Sequence, residues 1–287
     1  MTLCIAWKKD GKVCFASDSR ASVKTSYFDS CVKVIPIPIT IKLKYTTDKP
    51  TEKIEYNCGI AVAGNSLTAF SLISNISQTL RRMSIFNEHG DFSIIHVCEI
   101  VRTYFDKINK DITFTLCGKG QLAFFFCGFC LKLNKVRCFK FSPVLEDGVY
   151  EYKYEEIFTD SDSDNIQFIG SGSSKALEIF KSEKRPLYIL RNLIRSGIEG
   201  SVGGPIQYGR TNDHFFNTLG IVDYEIDESK KTYYSRFYLN GFELLDDPRM
   251  LKVDTFHIDM SYANPFEDLI TELNRKGFSA TENPNAN

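Results

Sequence analysis

The sequence predicts an α+β fold: two antiparallel sheets face to face with helices on both outer surfaces, a four-layer αββα sandwich. Three observations predict it. Strand-like and helix-like segments follow one another as strands, two helices, strands, two helices, strands. The segments 34–41 and 122–133 are apolar at nearly every position, as strands covered on both faces must be. No linker composition and no internal repeat interrupts residues 2–242, which are therefore expected to form a single domain. Residues 243–276 then read as a C-terminal extension and 277–287 (GFSATENPNAN) as a disordered tail.

Residues 2–9 and 12–18 predict a hairpin turning at Asp10-Gly11. The stretch 30–43 predicts a strand. Its prolines, in Val34-Ile35-Pro36-Ile37-Pro38-Ile39, place it near an edge, because proline donates nothing to a ladder. Polar residues 44–53 predict a hairpin tip, and 54–63 return as its second strand. Leu67, Phe70, Ile73, Ile76 and Leu80 recur at helical spacing and predict a helix over 66–86. Ile95, Val97, Val101 and Phe105 predict a second over 92–109. Strands are expected at 122–133, 136–141 and 150–158, with Glu146-Asp147-Gly148 as a turn. An acidic loop at 160–165 precedes a strand at 166–169 and helices at 173–183 and 186–199, the latter opened by Pro186. Strands at 205–211, 216–226 and 231–242 complete the pattern, with 227–230 as a hairpin turn.

With 35 basic and 36 acidic side chains among 287 residues, the net charge of −1 offers no field for nucleic acid or an anionic membrane, and neither partner is expected. No apolar run reaches the ~18 residues a spanning helix needs. Residues 1–20 also lack the basic region and cleavage site of a signal peptide, so the expectation is a cytoplasmic protein. Nine scattered cysteines read as buried thiols. Cys127 and Cys130 form a C-x-x-C, but residues three apart on a strand face opposite sides. No metal and no cofactor is expected.

The chemistry begins at Thr2. A threonine after the initiator methionine is small enough for the methionine to be removed, leaving an α-amine beside its own hydroxyl. An α-amine, with an unperturbed pKa of about 7.7–8.0, can take the hydroxyl proton at neutral pH and make a nucleophile of it.

Sixteen positions after Thr2 comes Asp18-Ser19-Arg20, and further on Cys31-Val32-Lys33-Val34-Ile35, Ala63-Gly64-Asn65, Ile169-Gly170-Ser171-Gly172-Ser173 and Val202-Gly203-Gly204. Each alone reads as an ordinary turn, cap or ion pair. In this order and at these distances they resemble the proteasome β-subunits and their bacterial relatives among the N-terminal nucleophile (Ntn) hydrolases. The resemblance covers about residues 2–240 and is closest to propeptide-less bacterial members such as Anbu.

The resemblance implies a threonine-type peptidase or amide hydrolase working through an acyl-enzyme on Thr2. Lys33 would lower the pKa of the amine, and Asp18 would keep Lys33 charged and oriented. The N–H of Gly64 would form the oxyanion hole, and Ser171 would hydrogen-bond the amine. Arg20, Ala21, Ser22 and Cys31, with Val62, Asn65 and Ser66, would line a substrate cleft receiving a peptide or unfolded protein as an added strand. Two departures concern the amine's surroundings: where the family has an aspartate and a serine, this chain offers Glu199, which can support the amine, and Val202, which cannot. The family habit implies a homo-oligomer, either a ring or an open spiral; whether an unfoldase partners it is left open by these residues. The alternatives are an Ntn amidohydrolase acting on a small amide, or a silent structural subunit if Met1 is retained.

Overall fold

The computed structural model describes residues 2–23, 26–43, 52–85, 92–158, 165–244 and 261–284. The chain opens with the hairpin β1 (Cys4–Lys9) and β2 (Lys12–Ser17), followed by a two-stranded flap, β3 (Ala21–Val23) and β4 (Ser26–Phe28). β5 (Val34–Leu43) and β6 (Glu52–Gly64) lead to α1 (Ser66–Leu80), the short β7 (Met83–Ile85) and α2 (Ile94–Thr115). Then come β8 (Leu122–Cys130), β9 (Lys135–Glu146), β10 (Val149–Glu156) and β11 (Ile166–Ile169). Helices α3 (Ser173–Phe180) and α4 (Pro186–Ser196) precede β12 (Gln207–Asn212), β13 (Phe215–Asp227), β14 (Thr232–Leu239) and β15 (Phe242–Glu243). β16 (Tyr262–Ala263), α5 (Glu267–Arg275) and β17 (Ser279–Ala280) close the described chain.

The fold is α+β and mostly antiparallel, but the strands do not divide into the two separate large sheets expected. Fifteen join in one network along the path β10-β9-β8-β6-β13-β12-β2-β1-β11, apart from the β3–β4 flap. Its halves meet at a single parallel bridge between Asn57 and Phe215. That one contact is too local to leave a mark on hydrophobic periodicity.

Alternation along the central strands divides the apolar side chains among three cores. Phe124 and Phe126 of β8 face α1 and α2 with Leu72, Val101 and Phe105. Ile5 and Trp7 of β1 face α3, α4 and α5 with Leu190, Leu193 and Phe266. The opposite faces of the same strands supply Cys4, Ala6, Phe125 and Cys127 to a third core with Phe15 and Phe216. Cys127 and Cys130 accordingly lie in different cores, as the period of a strand requires.

Several boundaries differ from expectation. The helix expected over 66–86 ends at Leu80, because Met83–Ile85 pairs in parallel with the end of β5. α2 runs past Asn109 to Thr115. Asn109 is fully buried, yet its amide donates to the Phe105 carbonyl at 3.0 Å and accepts from Leu122 N at 3.2 Å, so its polarity does not break the helix. The disordered tail expected at 277–287 needs correction over 277–284. Ser279–Ala280 pairs with β14, Thr281 N donates to the Tyr233 carbonyl at 2.8 Å, and Phe278 packs on the core beneath α5. The polar tip at 44–51 and most of the acidic loop at 160–165 lie outside the described residues. No helix among the described residues is long and apolar enough to cross a membrane.

Candidate active site

Thr2 lies two residues ahead of β1 and is 3% exposed. The turn after β11 fixes its backbone: Gly172 N donates to the Thr2 carbonyl at 3.3 Å. Gly170, at φ +101°, passes so close that a Cβ there would stand 2.1 Å from that carbonyl oxygen, which only glycine permits.

Asp18 directly follows β2 and has no exposed surface. One carboxylate oxygen accepts from Leu3 N at 3.0 Å and the other from Arg20 N and Gly203 N, each at 3.1 Å. Lys33 Nζ adds a fourth donor at 3.0 Å. Lys33 reaches this point from the irregular residues just before β5, which a buried glutamine holds in place. Gln207 Oε1 accepts from Lys33 N at 2.9 Å, and Gln207 Nε2 donates to the Cys31 carbonyl at 2.6 Å. The remaining donors of the Lys33 ammonium go to Thr2 Oγ1 and, at 2.6 Å, to the Arg20 carbonyl. All three ammonium protons therefore have acceptors. Burial pushes the Asp18 carboxyl up, while Lys33 and the N–H groups of Leu3 and Gly203 pull it down. Every polar contact Asp18 makes is with a donor, which is the environment of a carboxylate rather than of an acid.

On the other side of Thr2, its nitrogen lies 3.3 Å from Ser171 Oγ. Ser171 exchanges a 2.9 Å hydrogen bond with Ser201 Oγ, and Ser201 donates to Glu199 Oε1 at 2.5 Å. The sequence resemblance places Glu199 and the non-donating Val202 where the family has an aspartate and a serine; in the structure the hydroxyl beside Glu199 belongs to Ser201, and Val202 is buried in the core under α4. The segment 197–206 is irregular, so no periodicity marks which of its side chains turns inward; Gln207 was also missed.

These groups open onto a cleft of about 410 Å³. Ala21, Ser22, Cys31 and Val62 line it with Asn65, Ser66 and Gly64. Arg20 also lines it, but its guanidinium is engaged in a bidentate pair with Asp29, at 2.7 and 2.8 Å, and lies over the Tyr27 ring. Burial pushes the Cys31 thiol up. Gly64 takes φ +135°, and a Cβ there would stand 2.5 Å from the Gln121 carbonyl. The far wall was not read from sequence: Ala69, Phe70 and Ile73 of α1, and Gly118, Lys119 and Gln121 of the α2–β8 loop. A larger cleft of about 660 Å³ contains Arg191, Arg195 and Arg236. Asp223, Glu225 and Glu243 pair with these arginines, so it presents a closed ion network rather than reactive groups.

The structure is similar to that of Anbu (ancestral beta-subunit) from Yersinia bercovieri, at TM-score 0.50 and 16% identity, over 73% of this chain and 81% of that one. It is also similar to a subunit described as the helical assembly of the Anbu complex from Pseudomonas aeruginosa, at TM-score 0.53 and 16% identity, over 76% and 86% of the two chains. No family profile matches the chain, and no curated protein matches it. The likeness is one of fold: a proteasome-β-like Ntn architecture related to that of Anbu.

Proposed function

We propose that this chain is a threonine-type peptide or amide hydrolase in which removal of Met1 makes Thr2 the N-terminal nucleophile. The observation that carries the reading is the Lys33 ammonium, held by buried Asp18 and donating to Thr2 Oγ1 at the edge of a cleft. In this reading the Thr2 amine takes the hydroxyl proton as Oγ1 attacks the substrate carbonyl. Lys33 stabilises the oxygen that develops negative charge and disfavours the protonated amine, keeping it a base near neutral pH. The Gly64 N–H receives the oxyanion of the tetrahedral intermediate. The leaving amine departs with that proton, and a water deprotonated by the Thr2 amine then attacks the ester, releasing the acyl group as a carboxylic acid and restoring the Thr2 hydroxyl. Ser171, Ser201 and Glu199 form a hydrogen-bonded chain that orients the amine's lone pair toward the hydroxyl. The small walls at Ala21, Cys31 and Val62 favour small or medium apolar side chains next to the scissile bond.

The three cores support a four-layer arrangement, with the halves of the strand network face to face between helix layers. Assembly into a homo-oligomer belongs to the same proposal, as does a cytoplasmic location. The test is intact mass before and after treatment with a peptide epoxyketone, a reagent that requires both the hydroxyl and the free amine of an N-terminal threonine. The expected result is loss of methionine and one adduct, absent in Thr2→Ala. A protein that retains Met1 and takes no adduct would refute the reading.

A further inference from the structure

We infer that the cleft beside Thr2 selects a substrate bearing a carboxylate, received by Lys119. This rests on the hydrolase reading for the identity of the cleft, but its own argument is electrostatic. Among the described residues lining the cleft there are three cations and no aspartate or glutamate. Two of those cations are already neutralised: Lys33 by Asp18, and Arg20 by Asp29. Lys119 is the exception. It is exposed at the mouth, and its ammonium has no carboxylate partner among the described residues.

The lysine is also held where it can act. Its carbonyl accepts from Asn65 Nδ2 at 3.2 Å, and its N–H donates to the Leu116 carbonyl at 3.2 Å. Gly120, next along, gives its carbonyl to Thr68 Oγ1 at 2.6 Å, and the Gln121 carbonyl accepts from Asn65 N at 2.9 Å. The α2–β8 loop is thus tied to the first turn of α1, which fixes the backbone that carries Lys119 before any ligand arrives. That first turn adds a second positive feature. Ser66 at its start lines the cleft, α1 is 15 residues long, and its first turn contains no acidic residue to offset the helix dipole. Gln121 and Asn65 supply neutral amides beside the lysine, while Phe70 and Ile73 offer an apolar surface. The whole describes a subsite for a carboxylate on a partly apolar chain.

The experiment uses tetrapeptide amide substrates in pairs that differ only by Glu or Gln at each position in turn, assayed with the wild-type protein, Lys119→Gln and Lys119→Glu. At one position the Glu form should win by about five- to tenfold in kcat/KM, as a partly shielded charge-assisted contact allows. Lys119→Gln should level that ratio, and Lys119→Glu should invert it. Raised salt should shrink the wild-type ratio. Each peptide is also compared as free acid and as amide, which separates a side-chain carboxylate from a chain terminus. Equal turnover of Glu and Gln forms at every position and of both termini, or a preference unchanged by the Lys119 variants, overturns the inference and leaves the hydrolase reading intact. Calorimetric binding of the same pairs to Thr2→Ala reads the charge preference without turnover. A Glu preference there, with no hydrolysis by the wild type, sinks the hydrolase reading and keeps the subsite; equal affinities sink the subsite.

Discussion

Replacing Lys33 by Met, Asp18 by Asn, or both tests whether the centre is a coupled buried charge pair. The side chains of Lys33 and Asp18 are 5% and 0% exposed. Lys33→Met leaves a carboxylate with only the N–H groups of Leu3, Arg20 and Gly203, a loss of about 3–5 kcal/mol for a buried charge stripped of its partner. Asp18→Asn strands the ammonium in the same way. The double variant removes both charges at similar volume and should recover much of the loss, so the cycle closes with a coupling of about 2–3 kcal/mol. The pH dependence gives the sign. Burial already pushes Asp18 up, and Lys33 is the largest influence holding it down. Without Lys33 the folded carboxyl rises further above its unfolded value, so the folded state binds its proton more tightly. Stability that depends on such a group is present at low pH and lost as pH rises through the folded pKa. Urea unfolding of Lys33→Met should therefore show a deficit against wild type that shrinks between about pH 8 and about pH 5. A deficit independent of pH, or losses that simply add in the double variant, would refute the argument.

Three further outcomes are expected. Gly64→Ala forces a side chain onto the Gln121 carbonyl at φ +135° and should lower stability by about 1–3 kcal/mol, read as a fall in Tm; an unchanged Tm would mean the site is not strained. Ser201→Ala interrupts the chain between Glu199 and Ser171 and should lower kcat/KM about tenfold or more with a displaced pH profile; unchanged kinetics would remove Ser201 from the amine's surroundings. Of nine free cysteines only Cys117 is exposed. Burial pushes others up, Cys4 to about 12, so a thiol reagent should label one cysteine quickly in the native protein and nine after denaturation. Two or more fast thiols would contradict the packing.

How much of this was legible depends on how each position is fixed. Thr2 and Asp18 are separated by one hairpin whose turn, Asp10-Gly11, sets the register, so their spacing could be read directly. Gly64 closes the long strand β6, and Ser171 stands in the glycine turn that links β11 to α3, so local motifs mark both. Ser201 carries no such mark: it sits in a glycine-rich loop where neither a period of 2 nor of 3.6 applies, so no pattern singles out its hydroxyl. Gln207 was hidden for another reason. A glutamine at the start of a strand reads as surface, and only the arrival of Cys31 and Lys33 from a distant segment gives its amide two buried partners. β16 and β17 are two residues long and pair in parallel with strands far back in the chain. Segments that short carry no pattern, which is why the C-terminus read as a tail. The lysine of the α2–β8 loop likewise has no motif; the role proposed for it rests on the absence of acidic side chains among the described residues lining the cleft.

The centre is also an expensive thing to keep without a use. Asp18 binds the backbone just ahead of β1 at Leu3, just before the flap at Arg20 and in the glycine loop at Gly203, so some acceptor there is structurally required. A neutral asparagine or serine could meet part of that need without burying a charge. Lys33 meets no comparable need: its backbone is already held by Gln207 and by Val62 N, which donates to its carbonyl at 3.0 Å. An apolar side chain of similar volume, paired with a neutral residue at 18, is often as stable as a buried ion pair or more so. What the ammonium adds is a positive charge in contact with one hydroxyl, and that hydroxyl belongs to Thr2 at the rim of a cleft. A scaffold gains nothing from charging a threonine's surroundings, whereas a nucleophile that must lose its proton does.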